Sequence, residues 1–285
     1  MTNQSAAAAP AHGSPCAPGV GPCESTFGDL RKIPGHWLFA TMGKRVLRPG
    51  GLELTRAMLS TLNIQTSDEV VEFAPGLGVT ARMILRRQPA RYTAIERSEK
   101  AVEEVKAYLS GPTQQCLLGS AEETGLPSAS ATVVYGEAML TMQTPERKRQ
   151  IIAEAFRLLK AGGRYGIHEL SLTPDDLSEE KKEEVKSDIS CSIHVGARPL
   201  TANEWRVLLA DAGFEVQFQR VAPMHLLEPR RLVSDEGFFR ALRFVFNVLR
   251  APIVRKRVLS MRRAFRKHRQ HLAAITLVAV KPQRA

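Results

Sequence analysis

The residues best suited to chemistry in this sequence are two glycines and two carboxylates grouped around two short apolar runs. Gly76 and Gly78 follow the run "VVEFAP" at 70–75, and glycine permits a tight turn and a close approach of the backbone to a ligand. Glu72 lies inside the run, where a carboxylate needs a hydrogen-bonding or positively charged partner. Glu96 ends the next apolar run and can accept hydrogen bonds from both hydroxyls of a ribose. The pattern predicts a nucleotide-binding site.

Strand-like and helix-like segments alternate over much of the chain. Short apolar runs are followed by segments with apolar residues at helical spacing, which predicts parallel strands joined by right-handed helical crossovers. We expect strands at 69–74, 91–96, 113–119, 131–137 and 164–170, and helices at 79–87, 98–109 and 144–163. The carboxyl ends of such strands meet at one edge of the sheet, and ligands bind there.

The pattern changes after residue 170. We expect a charged lid over 171–203 that contains a helix capped by Ser178. Two further strands, at 214–223 and 273–280, flank a basic helical insert at 230–271, and this arrangement predicts an antiparallel pair. The predicted fold is α/β, with a doubly wound, mostly parallel, seven-stranded Rossmann-like sheet, an antiparallel C-terminal edge strand, and helical additions at both ends.

Composition sets the domain organisation that we expect. Residues 1–26 are rich in Ala, Pro, Gly and Ser and predict a disordered tail, because they offer little apolar surface to bury. A helical cap is expected at 27–66 and a nucleotide-binding domain at 67–285. The tail lacks the basic start and apolar block of a signal peptide, so we expect a cytoplasmic location. The four cysteines form no cluster with histidine at zinc spacing, so we expect no metal site.

The residues at the ends of the predicted strands together resemble the class I S-adenosylmethionine (SAM)-dependent methyltransferases, and among them the ubiquinone and menaquinone biosynthesis group. The resemblance covers about residues 50–225 and includes the stretch "LLKAGGRYGIHE" at 158–169. Ala74 stands where the family has its first glycine, and Ser120 stands where it commonly has Asp. The resemblance implies SAM as cofactor, bound by Glu72, Ala74, Pro75, Gly76, Gly78, Glu96, Ser120, Ala121, Glu122, Gly136 and Glu137.

A dinucleotide enzyme is the competing interpretation of the glycine turn. The spacing Gly-x-Gly-x-x-Ala at 76–81 also matches a dinucleotide-binding turn. The segment at 119–127 is of the type that contacts adenine in the methyltransferases, and with the predicted C-terminal strand pair it favours SAM over NAD(P).

Methyl transfer from a sulfonium mainly requires positioning of the acceptor and exclusion of water. A general base is needed only when the acceptor loses a proton, and the sequence contains no evident catalytic motif. Three residues are candidates for such a base: His168 and Glu169, which we expect to face the same space after the fifth strand, and His194 in the lid. A packing or surface role is the alternative for each.

The insert concentrates positive charge. Between Gly237 and His271 there are eleven Lys or Arg residues and no Asp or Glu. We expect an apolar helical face to pack on the sheet as a lid, with peripheral contact to an anionic membrane as the main alternative. Nucleic acid is less favoured, because no aromatic series for base stacking accompanies the arginines. The face consists of Phe238, Leu242, Val245, Phe246 and Leu249.

These features predict a SAM-dependent methyltransferase with a small-molecule acceptor of lipophilic or quinone-like character. One alternative is an RNA or protein methyltransferase that holds its substrate with the insert. The Asn-Pro-Pro-Tyr type of tetrapeptide, typical of enzymes that methylate base nitrogens, is absent, and residues 135–138 read Tyr-Gly-Glu-Ala. A second alternative is a non-catalytic regulatory protein that binds SAM.

Overall fold

A single twisted sheet forms the centre of the protein in the computed structural model, which describes residues 30–283. The predicted disordered tail, with Cys16 and Cys23, lies outside the described residues. The strands of this range are β1 (Glu69–Phe73), β2 (Arg91–Glu96), β3 (Gln114–Leu118), β4 (Ala131–Glu137), β5 (Leu159–Leu172), β6 (Leu200–Thr201), β7 (Glu215–Pro223) and β8 (Leu272–Val280). Their order is β3-β2-β1-β4-β5-β8-β7, and the two-residue β6 pairs beside β5.

Strand direction follows the prediction. Strands β1 to β5 run parallel, whereas β8 pairs antiparallel with both β5 and β7. The antiparallel C-terminal pair is therefore confirmed, and β7 occupies the outer edge while β8 lies one place inside it. The position of β8 explains its sequence, since a strand with neighbours on both sides and helices on both faces is mainly apolar, and only Thr276 of β8 is polar.

Helices cover the sheet on both faces. They are α1 (Gly35–Thr41), α2 (Gly51–Leu62), α3 (Val79–Leu85), α4 (Glu99–Lys106), α5 (Pro145–Leu158), α6 (Glu179–Ile193), α7 (Ala202–Asp211), α8 (Pro229–Glu236), α9 (Phe238–Arg250) and α10 (Pro252–Lys267). Apolar side chains of α5 and α7 pack on one face, and those of α2, α3 and α4 pack on the other. The doubly wound α/β architecture is thus confirmed. Within residues 30–283, no helix has the length and apolar character needed to cross a membrane.

Helix starts were easier to predict than helix ends. The hydroxyls of Thr144 and Ser178 each accept a hydrogen bond from a backbone N–H of the first turn of α5 and α6, as expected. The prediction that α5 runs to Gly163 is wrong, because the helix ends at Leu158 and β5 begins at once. Gly162 and Gly163 instead exchange backbone hydrogen bonds with Lys281, which extends the sheet beyond β8.

A third apolar cluster joins the N-terminal and C-terminal helices beside the sheet. Leu38 and Phe39 of α1 pack with apolar residues of α6, α8, α9 and α10 and of the ends of β5 and β8. Phe39 and Phe244 meet edge to face, with ring centroids 6.2 Å apart. The insert is thereby attached to the N-terminal cap as well as to the sheet.

The face of α9 that we expected to pack is exposed instead. The buried residues of the helix are Ala241, Phe244 and Val248. The helix is apolar around most of its circumference, and only this narrower side meets α1 and α10. The predicted packing face is between 42% and 64% exposed, and consists of Phe238, Leu242, Val245, Phe246 and Leu249.

Candidate active site

The glycine turn after β1 has an open outer side. Ala74, Gly76 and Gly78 all have positive φ angles, of 52°, 54° and 65°, and Ala74 takes up this conformation with its methyl group in place. A Cβ atom added to Gly76 meets no atom within 4 Å, whereas one added to Gly78 lies 1.6 Å from the hydroxyl of Tyr108. Gly78 therefore makes room for Tyr108, and Gly76 leaves space for a ligand.

Glu96 closes the turn from the neighbouring strand. One carboxylate oxygen accepts a hydrogen bond from the backbone N–H of Gly76, with N and O 3.2 Å apart. The other accepts from the N–H groups of Arg97, at 2.8 Å, and Ser98, at 3.0 Å. The structure thus brings Glu96 next to the turn, as expected for the carboxyl ends of two neighbouring parallel strands. Its contact with a ribose stays a prediction.

Glu72 lies buried on β1, the strand that leads into the turn. The hydroxyl of Tyr92 donates a hydrogen bond to its carboxylate. Burial raises the pKa of Glu72 to about 7, although the hydroxyls of Tyr135 and Tyr92 act in the opposite direction. Near neutral pH the side chain is therefore poised between its neutral and charged forms, and a nearby cation would favour the carboxylate.

The segment after β3 is tied to the turn after β2. Arg97 donates a hydrogen bond to the hydroxyl of Ser120, at 2.8 Å, and pairs with the carboxylate of Glu122. Burial alone would raise the pKa of Glu122, but hydrogen bonds from Ser120 and Arg97 together lower it. Ala121 is buried against the sheet. The structure brings this segment to the edge that holds Glu96, while its role in binding adenine stays a prediction.

A buried polar network at the ends of β4 and β5 was not foreseen as a unit. Glu137 accepts hydrogen bonds from Arg48, which precedes α2, and from Thr80 of α3. Its other oxygen accepts from Thr55 of α2, at 2.6 Å, and lies 2.8 Å from Nδ1 of His168. Burial would raise the pKa of Glu137, but Arg48 and His168 together lower it to about 2. The carboxylate of Glu137 is therefore held in a fixed position by side chains of α2, α3 and β5 and of the segment before α2.

His168 is a fully buried member of this network. Its Nε2 lies 2.6 Å from the carbonyl oxygen of Pro49, and because a carbonyl only accepts, Nε2 carries a proton. Its Nδ1 faces Glu137. Both ring nitrogens are engaged, so the ring holds Pro49 and Glu137 in place and has no nitrogen left for a substrate.

The expectation that His168 and Glu169 face one space is wrong, because consecutive strand residues point to opposite faces of a sheet. Glu169 accepts hydrogen bonds from the backbone N–H groups of Met139, Leu140 and Thr141 and from the Thr141 hydroxyl, at 2.7 to 3.0 Å. Burial raises its pKa. Glu169 thus caps the short helical turn that follows Glu137.

His194 lies at the C-terminal end of α6, with a φ of 57° and an exposed side chain. Partial burial, followed by the charge of Arg257 on α10, lowers its pKa. It therefore lies beside the insert and is not a member of the network around Glu137. A role in handling the acceptor stays a prediction for this residue.

One further cluster has the spacing of metal ligands. Potential ligand atoms of Glu184, Asp188 and His268 lie within 4.8 Å of one another. The ammonium group of Lys267 already contacts both carboxylates, at 2.9 and 2.7 Å, and His268 lies 2.7 Å from Asp188. The cluster is therefore an ion-pair network between α6 and α10.

Part of the sequence is similar to known proteins. Residues 70–163 match a family model described as a methyltransferase domain. A protein of Haemophilus influenzae, known only as an uncharacterized protein, is 29% identical over 221 residues, which cover 76% of this chain and 86% of that protein.

Solved structures share the fold at low sequence identity. A sarcosine dimethylglycine methyltransferase of Galdieria sulphuraria, named as such only provisionally, has a TM-score of 0.63 at 14% identity, over 81% of this chain and 84% of its own. Phosphoethanolamine N-methyltransferase 2 of Haemonchus contortus has a TM-score of 0.65 at 17% identity, over 87% and 57%. The [4+2]-cyclase SpnF has a TM-score of 0.63 at 16% identity, over 81% of each chain.

Residues 70–163 thus match a methyltransferase domain, and the described residues share the fold of solved methyltransferase structures. The domain match, together with a solved neighbour that holds SAM, supports SAM as the cofactor. The residues present fit that cofactor: the space outside Gly76 is open, Glu96 borders the turn, and the buried Glu72 lies on the strand that leads into it.

Proposed function

We propose that the protein transfers a methyl group from SAM to a small-molecule acceptor at the carboxyl edge of β1, β2 and β4. The observation that carries the proposal is the open side of the turn at Gly76, which the carboxylate of Glu96 borders at 3.2 Å. Open space alone also occurs outside Gly111, so the proposal depends on the combination of that space with the carboxylate of Glu96.

The two buried carboxylates have separate tasks in this proposal. When bound, SAM supplies a methyl group on a positively charged sulfonium. Glu72 would hold the positively charged methionine end, and Glu96 would accept hydrogen bonds from the ribose hydroxyls. The remaining proposed contacts come from the turn, from the segment after β3 and from the end of β4: Ala74, Pro75, Gly76, Gly78, Ser120, Ala121, Glu122, Gly136 and Glu137.

The network around Glu137 would position the reactants. Its carboxylate oxygens each accept two hydrogen bonds, and His168 has both nitrogens engaged. Neither group is therefore arranged to remove a proton from an acceptor. This agrees with a reaction that proceeds through alignment of the acceptor and exclusion of water.

We further propose a lipophilic acceptor, of which a quinone-like molecule is one example. The segment 42–50 leads to the network and is held by α8 and α9, and α9 exposes a broad apolar surface. An acceptor that enters beside these helices would meet apolar side chains before it reaches the polar network.

Incubation with isotope-labelled SAM and a fractionated cell extract tests the activity. We expect label in a fraction that is soluble in organic solvent and resists protease and ribonuclease. Label in RNA or protein would overturn the small-molecule acceptor. Because a cyclase shares this fold, SAM binding without labelling of any fraction would overturn the methyl transfer.

Calorimetry with S-adenosylhomocysteine tests the site itself. Glu96→Ala should weaken binding at least ~10-fold, since a hydrogen bond to a charged group is worth about 1.5–3 kcal/mol. Glu103→Ala, at an exposed position of the following helix, is the matched control and should bind normally. Equal affinity of both variants, or tighter binding of NAD than of S-adenosylhomocysteine, contradicts the proposed site.

A further inference from the structure

Helix α9 carries the largest group of exposed apolar side chains in the described residues. Phe239 is 83% exposed and Phe238 is 64% exposed, and their rings meet edge to face with centroids 5.6 Å apart. Such surfaces are uncommon on monomeric soluble proteins and mark contacts with a partner or a membrane. The other members of the face are Leu242, Val245, Phe246 and Leu249.

The exposed residues form one continuous strip. Because successive residues of a helix are turned by about 100°, the six side chains span an arc of about 120°. Arg243 and Arg250 border this arc on one side, and the buried residues Ala241 and Val248 border it on the other. The guanidinium of Arg250 also lies over the ring of Phe246, 5.0 Å from its centroid. A strip of aromatic and aliphatic side chains edged by arginine is typical of helices that lie in a membrane interface.

Charge decides which partner fits the strip. No Asp or Glu follows Glu236 in the sequence, and Arg240, Arg243 and Arg250 are exposed on α9 itself. Exposed cations continue along α10 with Arg255 and Lys256. Self-association through a two-fold axis would bring the same arginines together, whereas an anionic bilayer offers both an apolar layer and negative headgroups.

The strip is mechanically linked to the proposed active site. The side-chain amide of Asn247 on α9 donates a hydrogen bond to the carbonyl of Met42, at 3.0 Å. Glu236, at the end of α8, accepts hydrogen bonds from the N–H groups of Arg45, at 2.7 Å, and Val46, at 2.8 Å. The same segment continues to Arg48, which contacts Glu137.

We propose that α9 docks on the surface of an anionic phospholipid bilayer. The strip from Phe238 to Leu249 enters the boundary between headgroups and acyl chains, and Arg243 and Arg250 contact lipid phosphates. Asn247, which holds Met42, lies on the side of α9 away from the strip, so docking leaves segment 42–50 on the protein side of the helix. The proposal does not depend on the methyl acceptor, since it concerns binding of the protein to the bilayer alone.

Co-sedimentation of the full-length protein with large vesicles tests the docking. Vesicles of phosphatidylcholine are compared with vesicles that contain about 30% phosphatidylglycerol, at ionic strengths from about 0.05 M to 0.5 M. We expect at least ~10-fold tighter binding to the anionic vesicles at low salt, with the preference shrinking as salt rises. Failure of the wild-type protein to bind them overturns the proposal, whatever the outcome of the methyl-transfer assays.

Matched variants show whether α9 is the contact. Val245→Glu on α9 and Val207→Glu on α7 change similarly exposed valines, 42% and 49% exposed. We expect Val245→Glu to weaken vesicle binding at least ~5-fold and Phe239→Glu/Phe246→Glu to abolish it, while Val207→Glu binds as the wild type does. Arg243→Gln/Arg250→Gln should lose the preference for anionic vesicles.

Other occupants of the strip give different results. If Val245→Glu and Val207→Glu lose vesicle binding to the same extent, α9 is not the surface that contacts the bilayer. A wild-type dimer in sedimentation velocity that Phe239→Glu/Phe246→Glu converts to a monomer, without vesicle binding by either, identifies a second copy as the partner. Tight binding of single-stranded RNA that the same variant abolishes, again without vesicle binding, identifies nucleic acid.

Discussion

The cofactor half of the site and the half around Glu137 are assembled in different ways. In the cofactor half, Glu72, Gly76 and Glu96 belong to two neighbouring strands and the turns that follow them. Around Glu137, Arg48 comes from the segment before α2 and His168 from β5. One half is built from a short stretch of chain, and the other depends on the docking of the N-terminal cap.

Because the two halves are assembled differently, substitutions in them should affect different properties, namely the affinity for SAM and the stability of the fold. The parallel pairing of β1 and β2 places the glycine turn and Glu96 side by side wherever the sheet forms. The network exists only when segment 42–50 is held over the sheet by α8 and α9. Substitutions in the first half should therefore act mainly on SAM binding, while substitutions in the second should act mainly on the stability of the fold.

The largest effect is expected from Arg48→Met. The change leaves the buried carboxylate of Glu137 without its arginine partner, and breaking a buried ion pair in this way costs about 3–5 kcal/mol of unfolding free energy. Denaturant unfolding measures the loss. Arg86→Met, at an exposed arginine of the chain, should stay within about 0.5 kcal/mol of the wild type. If the two variants are equally stable, the network does not hold the cap.

Gly76→Val should reduce SAM affinity at least ~100-fold, or about 2.7 kcal/mol, because its side chain fills the space outside the turn. Calorimetry measures the affinity. Gly111→Val is the control, since Gly111 also has a positive φ, of 75°, and open space around an added Cβ. Both variants should be destabilised similarly by the left-handed backbone, and only the first should lose SAM. Unchanged affinity in Gly76→Val would remove the cofactor from this turn.

The affinity for SAM should depend on pH through Glu72. Its raised pKa of about 7 means that the side chain is increasingly neutral below pH 7 and increasingly charged above it. Because the charged form attracts the cationic methionine end, affinity should fall roughly 5- to 10-fold from pH 7.5 to pH 6. Glu72→Gln should bind weakly with no such slope. A slope of the same size in that variant would assign the titration to another group.

The smallest effect is expected at the start of α2. Asp235 of α8 accepts a hydrogen bond from the N–H of Leu52, at 3.0 Å, and so caps a helix that has no side-chain cap of its own. Asp235→Ala should cost about 1 kcal/mol of unfolding free energy, as loss of an N-cap does. Ser234→Ala, at the exposed neighbouring position, serves as the control. Equal stability of the two would show that solvent replaces the cap.

Much of the fold could be predicted from sequence, and so could the position of Glu96 beside the turn at Gly76, because both depend on local patterns. Alternating apolar runs indicated the parallel strands of a doubly wound sheet, and Thr144 and Ser178 indicated helix starts. Arg48 was not identified, since no periodicity relates it to Glu137, although its place directly before Pro49 marks a turn. The opposite directions of His168 and Glu169 follow from strand geometry and could have been foreseen.

The packing side of α9 could not be predicted in the same way. Its apolar residues cover the buried arc and the exposed arc alike, so the spacing does not tell which side meets the protein. Only the positions of Phe39 and the neighbouring helices select Phe244 as the buried ring. A helix that is apolar on most sides therefore needs its tertiary partners before its free surface can be assigned.

The two adjacent carboxylates at the end of α8 limit how this protein can be divided into modules. Asp235 contacts Leu52, and Glu236 binds Arg45 and Val46, so the late insert completes a structure that the early chain begins. Excision of 229–267 to obtain a minimal catalytic core would release the segment that carries Arg48. Any transplant of this acceptor side onto a related scaffold must therefore move both pieces together.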